Sequence, residues 1–156
     1  MNRIGHYIIL LLVLIVQSTL VDLISVGGYK PDLALVFFLL MFARKGGFSA
    51  VFAGFGIGLA QDLLGGGILG LNALSKAAAG YLLAKLFPEK IPDERWLYWG
   101  GLTLTVLVHD LIYWYIAGQT EYLGIGQLIY LQVLPQFVYN TFLVLLSAFL
   151  FSESRR

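Results

Sequence analysis

Apolar runs recur from Ile4 to Phe151, broken only by short polar punctuation, and almost every positive charge falls in alternate breaks. A bilayer crossing takes about 20 apolar residues. With the N-terminus placed in the cytoplasm and six crossings counted, Arg3, Arg44, Lys45, Lys85, Lys90, Arg95, Arg155 and Arg156 all face inward; Lys30 alone falls in an outer loop, and Lys76 falls inside a helix. Basic residues beside helix ends set orientation. The predicted architecture is therefore an all-α integral membrane protein with about six transmembrane helices, both termini cytoplasmic, and a single polytopic domain over residues 1–156 whose surroundings are the lipid bilayer.

Composition narrows the function classes. The chain is 59% apolar over 156 residues, with a mean hydropathy of +0.83, more than a soluble domain of this size hides. Six crossings leave no length for a separate soluble domain. A net charge of +1 gives no reason to expect a nucleic-acid partner. With no cysteine, disulfides, thiolate metal sites and thiol redox chemistry are excluded. The first apolar run follows a basic start, but it is long and no small-x-small cleavage pattern follows it, so it reads as a retained anchor rather than a signal peptide.

The punctuation predicts helices over residues 4–23, 32–43, 48–64, 69–87, 96–116 and 128–151. Pro31 suits the first turn of the second helix, where its missing N–H needs no partner. That helix is short for a crossing at about 1.5 Å per residue, and must sit upright, thin the bilayer or borrow from the preceding loop. Arg44-Lys45-Gly46-Gly47 is an inner turn, and Gly65-Gly66-Gly67 ends the third helix at the outer face. The segment 88–94 is an inner loop of mixed charge. Trp96, Tyr98 and Trp99 form an interfacial aromatic belt, residues 118–126 form an outer loop, and Pro135 is expected to kink the last helix.

Polar groups inside apolar spans are costly and so carry information. Ala50, Gly54, Gly58 and Asp62 lie four apart on one helix face, a small-residue stripe that admits close approach of another helix, within this chain or from a partner. Asp62 is expected near the outer helix end, within reach of water. Asn72, Lys76 and Gly80 are likewise spaced by four. Lys76 must snorkel, enter a wet cavity or pair with an acid; Asp62 and Asp110 are the available acids, and a ligand contact, a partner contact or a proton relay stand as alternatives. His109 and Asp110, being adjacent, point in different directions. His109 is either a titrating group near neutral pH or a hydrogen-bonded structural one. Gln132, Gln136 and Asn140 form an i, i+4, i+8 amide stripe fit to cross-link helices.

Enzyme motifs do not emerge. No Ser/His/Asp set has convincing spacing, no HExxH or paired-histidine metal pattern exists, and the glycines at 65–70 lack the Lys-Ser/Thr that a phosphate loop requires. Neither a catalytic centre, a metal site nor a cofactor is expected.

The stretch from Pro31 through Leu83 resembles the rod shape-determining protein MreD family. The residues that carry the likeness are Lys30-Pro31-Asp32-Leu33, then the small-residue helix from Gly54 to Leu63, then Leu69-Gly70-Leu71-Asn72-Ala73-Leu74 after the glycine break, and Gly80-Tyr81-Leu82. Length, predicted topology and the short basic C-terminus agree. The resemblance implies a non-enzymatic, multi-pass component of the bacterial cytoplasmic (inner) membrane, a scaffold or regulator of the wall-elongation complex in rod shape determination and peptidoglycan synthesis. It implies the partners MreC, MreB filaments, the RodA glycosyltransferase and its penicillin-binding transpeptidase, and a fold similar to the substrate-binding subunits of energy-coupling factor transporters. Asp62, Gly70 and Gly80 match the family pattern as structural or partner-contact residues, and no catalytic residue is carried over. The alternative reading is a substrate-binding membrane subunit of a vitamin-type transporter, in which Asp62, Asn72, Lys76 and Asp110 line a pocket; a weaker one is a proton-coupled carrier using His109 and Asp110.

Overall fold

A computed structural model describes residues 3–43, 48–87, 95–118 and 124–153. These form helices α1 (Arg3–Thr19), α2 (Leu33–Phe42), α3 (Ser49–Gly65), α4 (Leu71–Leu86), α5 (Arg95–Gly118), α6 (Ile125–Leu128) and α7 (Leu134–Glu153). A short 3-10 turn (Val21–Ile24) follows α1, and a π-helical turn (Ile129–Val133) joins α6 to α7. No strand occurs among the described residues, only an isolated bridge between Val26 and Tyr29. Two helical stretches, Trp96–Gly118 and Ile125–Leu150, are long and apolar enough to cross a membrane; Ile8–Thr19, Leu33–Phe42 and Ser49–Gly65 are apolar but shorter.

The short α2 forms the centre. Ala34, Leu35, Phe38 and Leu39 have no exposed surface, as befits a helix that is apolar all round. Around it, α1, α3, α4, α5 and α7 contribute Leu14, Ala50, Ile57, Leu83, Leu102, Val106 and Val144 to one continuous core. The opposite faces of the outer helices are also apolar. Ile8, Leu11, Leu12 and Ile15 of α1, Phe52 and Phe55 of α3, and Val138, Phe142 and Leu146 of α7 all point away from the core. Soluble monomers rarely expose so continuous an apolar surface, while the buried set here includes Asp32, Asp62, Lys76, His109, Asp110 and Asn140. The charged and amide side chains are thus buried alongside the apolar core, while the outward faces are apolar as well.

The tightest seam is antiparallel α3 on α4, and it uses the small-residue stripe. A Cβ added to Gly54 would lie 2.8 Å from the Lys76 carbonyl carbon. One on Gly58 would lie 2.6 Å from the Ala73 Cα, and one on Gly80 2.7 Å from the Ala50 carbonyl carbon. Real Cβ atoms do not approach so closely, so the two backbones meet where only glycine fits. Gly66, at the C-terminus of α3, and Gly70, at the N-terminus of α4, take positive φ values of 67° and 92°. These left-handed residues reverse the chain between the two helices.

Several expectations are corrected. Pro31 is not in the first turn of α2: Asp32 is the N-cap, its Oδ1 accepting the Leu35 N–H at 2.8 Å, so the proline stands before the cap. The first helix ends at Thr19, where the 3-10 turn begins. Of the expected aromatic belt, Trp96 is exposed, but Tyr98 and Trp99 turn inward, with ring centroids 5.8 Å from Phe87 to Tyr98 and 5.5 Å from Tyr98 to Trp99. The inner turn Arg44–Gly47, the loop 88–94, most of the loop 118–126, and Arg155 and Arg156 lie outside the described residues.

Candidate functional site

One end of the bundle holds a connected network of buried polar side chains. It begins at the N-terminus of α4. Gly70 has no side chain to cap that helix, and Asp62 of α3 does so from the neighbouring helix. Its Oδ2 accepts the Gly70 N–H at 2.9 Å and the Ala73 N–H at 3.1 Å; its Oδ1 accepts the Asn72 N–H at 3.0 Å and the Asn72 side-chain amide at 2.8 Å. A carboxylate facing the orphan N–H groups of a helix start is doubly favoured, by hydrogen bonding and by the helix dipole. Asp62 sits near the end of α3 as expected, and it is buried, only 4% exposed.

Asn72 continues the chain of contacts. Its Oδ1 accepts from Lys76 Nζ at 3.1 Å, and Lys76 Nζ donates to Asp32 Oδ2 at 2.5 Å. Lys76 has no exposed surface. Its acid is therefore Asp32, neither Asp62 nor Asp110: Asp62 is engaged at the α4 N-terminus and reaches the ammonium only through Asn72, while Asp110 is engaged by Asn140 and His109. Asp32 is bonded on every side: the Leu35 N–H to Oδ1, the ammonium to Oδ2, and its own N–H donating to Asn140 Oδ1 at 2.9 Å. Asn140 in turn donates through Nδ2 to Asp110 Oδ1 at 3.0 Å.

Asp110 also meets His109, whose Nδ1 lies 2.9 Å from Asp110 Oδ1. Adjacent side chains on a helix start about 100° apart, but here both bend into the same interior space, so the expected separation does not hold. The imidazole packs over the Tyr113 ring, one turn on, at 6.2 Å between centroids. Its Nε2 lies 3.7 Å from Asp32 Oδ2, beyond hydrogen-bond distance, so the ring stands between two carboxylates.

The last helix supplies the remaining polar groups, in a register the sequence does not declare. Leu128, Val133, Gln136, Asn140, Val144 and Ala148 are its buried positions. The step of five across the π-helical turn moves Gln132 off the buried line and puts Val133 on it, so the amide stripe is Gln136 and Asn140, with Gln132 half-buried beside it. The π turn sits one residue before Pro135, which has no N–H to offer the Leu131 carbonyl four residues back. Tyr29 Oη donates to that carbonyl instead. Tyr139 Oη donates to the Ile24 carbonyl at 2.6 Å, Gln136 Nε2 to the Lys30 carbonyl at 2.5 Å, and Gln17 clasps the same loop, donating to the Pro31 carbonyl at 3.1 Å and accepting the Leu33 N–H at 2.7 Å. The segment from Ile24 to Leu33 is thereby tied to α1 and α7.

The network lines a cavity of about 470 Å³ bordered by α1, the 27–32 loop, α3, α4, α5 and α7, with exposed Gly27 and Gly28 at its rim. Asp32, Asn72, Asp110, Gln132, Gln136 and Asn140 are on its wall, while Asp62 lies on an adjoining cavity of about 260 Å³. Gly54, Gly58 and Gly80 are not part of the cavity; they hold the α3–α4 seam beneath it. Reading the sequence missed Asp32 as the partner of Lys76, and missed Gln17, Gln61, Tyr113 and Trp114 as wall residues. The signal for Asp32 was its cap position before an apolar run; Gln61 stands beside Asp62, but its adjacency alone does not assign it to the cavity. No group of three or more histidine or acidic side chains suited to a metal ion occurs among the described residues. No family model, no curated protein and no solved structure matches this chain.

Proposed function

We propose that this chain is a non-enzymatic scaffold of the bacterial wall-elongation complex, acting in rod shape determination as a multi-pass protein of the cytoplasmic membrane. Six crossings, cytoplasmic termini and a likeness to the substrate-binding subunits of energy-coupling factor transporters belong to the same proposal. The observation that carries it is the convergence of the residues on which the MreD resemblance rests. Lys30, Pro31, Asp32, Asp62, Gly70 and Asn72, spread over more than forty positions, meet in a single hydrogen-bonded network. Gly54, Gly58 and Gly80 complete it as the seam below. The likeness therefore concerns one structural unit rather than scattered hydrophobic matches.

The distribution of polarity supports the membrane part of the proposal. Charges are paired inside and apolar side chains face outward, an arrangement that is unfavourable in water and suited to lipid. The partners are then MreC, and with it MreB filaments, RodA and its transpeptidase. The test is a mild-detergent pull-down of the tagged chain from its own cells. Recovery of MreC with the RodA–transpeptidase pair is the expected result. Recovery of an ATP-hydrolysing transport module in their place overturns the reading.

A further inference from the structure

We infer that residues 22–30 form a hinged flap, latched shut by two phenol hydroxyls, which divides the polar cavity from an apolar groove along α7 and joins the two when it opens. This goes beyond the scaffold reading and does not depend on it.

The flap is a firm tip between two anchors. Val26 and Tyr29 exchange backbone hydrogen bonds at 3.0 and 3.1 Å, and Gly27 and Gly28 turn the chain between them with φ of 62° and 89°. Positive φ at both central residues is the geometry of a tight two-residue hairpin. The anchors are Val21 on one side, 6% exposed, and buried Pro31 and Asp32 on the other. Between them the aliphatic side chains turn away from the bundle: Leu23 is 81% exposed and Val26 66%. A stretch with so few buried apolar contacts stands at the low-stability end of a fold.

The flap has a different space on each side. Gly27, Gly28, Tyr29 and Lys30 line the cavity of about 470 Å³, and Gly27, Gly28 and Lys30 are exposed as well, so the wall here is a single layer of chain. On the other side, Val26 and Tyr29 border a groove of about 770 Å³ whose α7 side is Leu134, Val138 and Phe142. Tyr29 belongs to both walls. Two phenols close the seam between flap and helix. Tyr29 Oη donates to the Leu131 carbonyl, to which Pro135 offers no N–H, and Tyr139 Oη donates to the Ile24 carbonyl at 2.6 Å. At the hinge, Gln136 and Gln17 hold the carbonyls of Lys30 and Pro31. Gln136 Nε2 also lies 3.5 Å from Asn140 Oδ1, which accepts the Asp32 N–H. The hinge therefore leads directly into the Asp32–Lys76 network. Leu23 and Val26 are already exposed, so opening does not uncover them; it breaks the phenol bonds.

The chain has no cysteine, so one introduced thiol reports on one place. Gln61→Cys puts it on the cavity wall, and Ile125→Cys on the exposed start of α6. The full chain in lipid nanodiscs is reacted with N-ethylmaleimide, a small neutral reagent that enters from water or lipid, with and without Tyr29→Phe plus Tyr139→Phe. Reaction through an opened state follows the opening equilibrium when closing is fast. Each neutral hydrogen bond lost shifts that equilibrium by roughly 2- to 12-fold. The expected result is slow labelling of Gln61→Cys beside Ile125→Cys, and labelling of Gln61→Cys at least about fivefold faster once both hydroxyls are gone, with Ile125→Cys unchanged. Hydrogen exchange separates an opened flap from a loosened bundle: the Val26 and Tyr29 amides should speed up while those of Leu83 and Val106 keep their rates. Equal labelling of the two thiols with the phenols intact overturns the proposal, since the cavity would then stand open. So does an unchanged Gln61→Cys rate without the hydroxyls, or acceleration of the Leu83 and Val106 amides with the flap, since the phenols would then hold the bundle rather than a latch.

Discussion

The pairing of Lys76 with Asp32 yields the sharpest prediction about stability. An ammonium with no exposed surface sits 2.5 Å from one carboxylate oxygen and 3.1 Å from Asn72 Oδ1. Removing one member of such a pair leaves a buried charge without compensation, at a cost of about 3–5 kcal/mol, whereas replacing both members by neutral groups is often close to neutral. Lys76→Met fills a similar volume and leaves the Asp32 carboxylate with only its cap bond to Leu35 and a histidine nitrogen 3.7 Å away. Asp32→Asn keeps an oxygen for the Leu35 N–H but leaves the Lys76 ammonium with only Asn72. Each single variant should therefore lose about 3–5 kcal/mol. For a chain of this size that corresponds to a drop in melting temperature of roughly 6–20 °C.

The double variant, Lys76→Met with Asp32→Asn, restores neutrality and retains the α2 cap. It should recover to within about 1.5 kcal/mol of wild type, giving a coupling energy of at least about 4.5 kcal/mol in a double-mutant cycle. Tryptophan fluorescence during denaturation in mixed micelles provides the assay, with melting in detergent as a check. Single variants that cost less than about 1 kcal/mol, or a double variant whose loss is the sum of the two singles, would refute the reasoning. Either result would mean that the ammonium is already compensated by something other than Asp32.

Two further perturbations address the α3–α4 unit. Gly58→Ala puts a methyl group 2.6 Å from the Ala73 Cα, against backbone that cannot rotate away, and should cost about 1–3 kcal/mol; Gly56→Ala, on the same helix with nothing within 4 Å, should be neutral or stabilising by up to about 1 kcal/mol. Equal melting temperatures for the two variants would contradict the close approach. Asp62→Ala removes all four hydrogen bonds at the start of α4 and should cost about 2–3 kcal/mol; hydrogen exchange should accelerate at the amides of Gly70, Asn72 and Ala73 ahead of the middle of α4, and uniform acceleration along the helix would count against a capping role.

Much of the scaffold is legible in the sequence because it depends on periodicity. The spacing of Ala50, Gly54, Gly58 and Asp62 places them on one face, and that face lies against α4 because only there are the side chains small enough for backbone contact. The glycine run at 65–67 and Gly70 marks the reversal for the same local reason. What periodicity does not encode is pairing across distance. Lys76 and Asp32 are 44 positions apart, and the cap geometry that aims Asp32 inward depends on where α2 begins, which Pro31 obscures. The amide register fails for a subtler reason. A π-helical turn adds one residue to the count between Leu128 and Val133, so a strict four-residue spacing puts Gln132 on the wrong line. The proline that signals irregularity is visible at 135, but the compensating phenol at Tyr29 is more than a hundred residues away.

The internal use of the small-residue stripe changes how a scaffold role has to be tested. Gly54 and Gly58 are spent on α4, so bulky substitutions there break the chain's own seam and say nothing about partners. A partner helix must instead meet a face that is still exposed, and those faces carry large side chains: Phe52 and Phe55 on α3, Val138 and Phe142 on α7. Contact of that kind relies on van der Waals packing without close backbone approach. Truncating a large side chain there changes stability little in lipid, since the lost contacts are with acyl chains. At a partner contact it removes packing that lipid does not replace. Phe52→Ala and Phe142→Ala should accordingly melt within about 1 kcal/mol of wild type, while one of them lowers recovery of MreC in the pull-down several-fold. If both variants melt normally and both recover MreC as wild type does, neither the α3 nor the α7 face is the contact, and the prediction is refuted in favour of the exposed α1 face of Ile8, Leu11, Leu12 and Ile15.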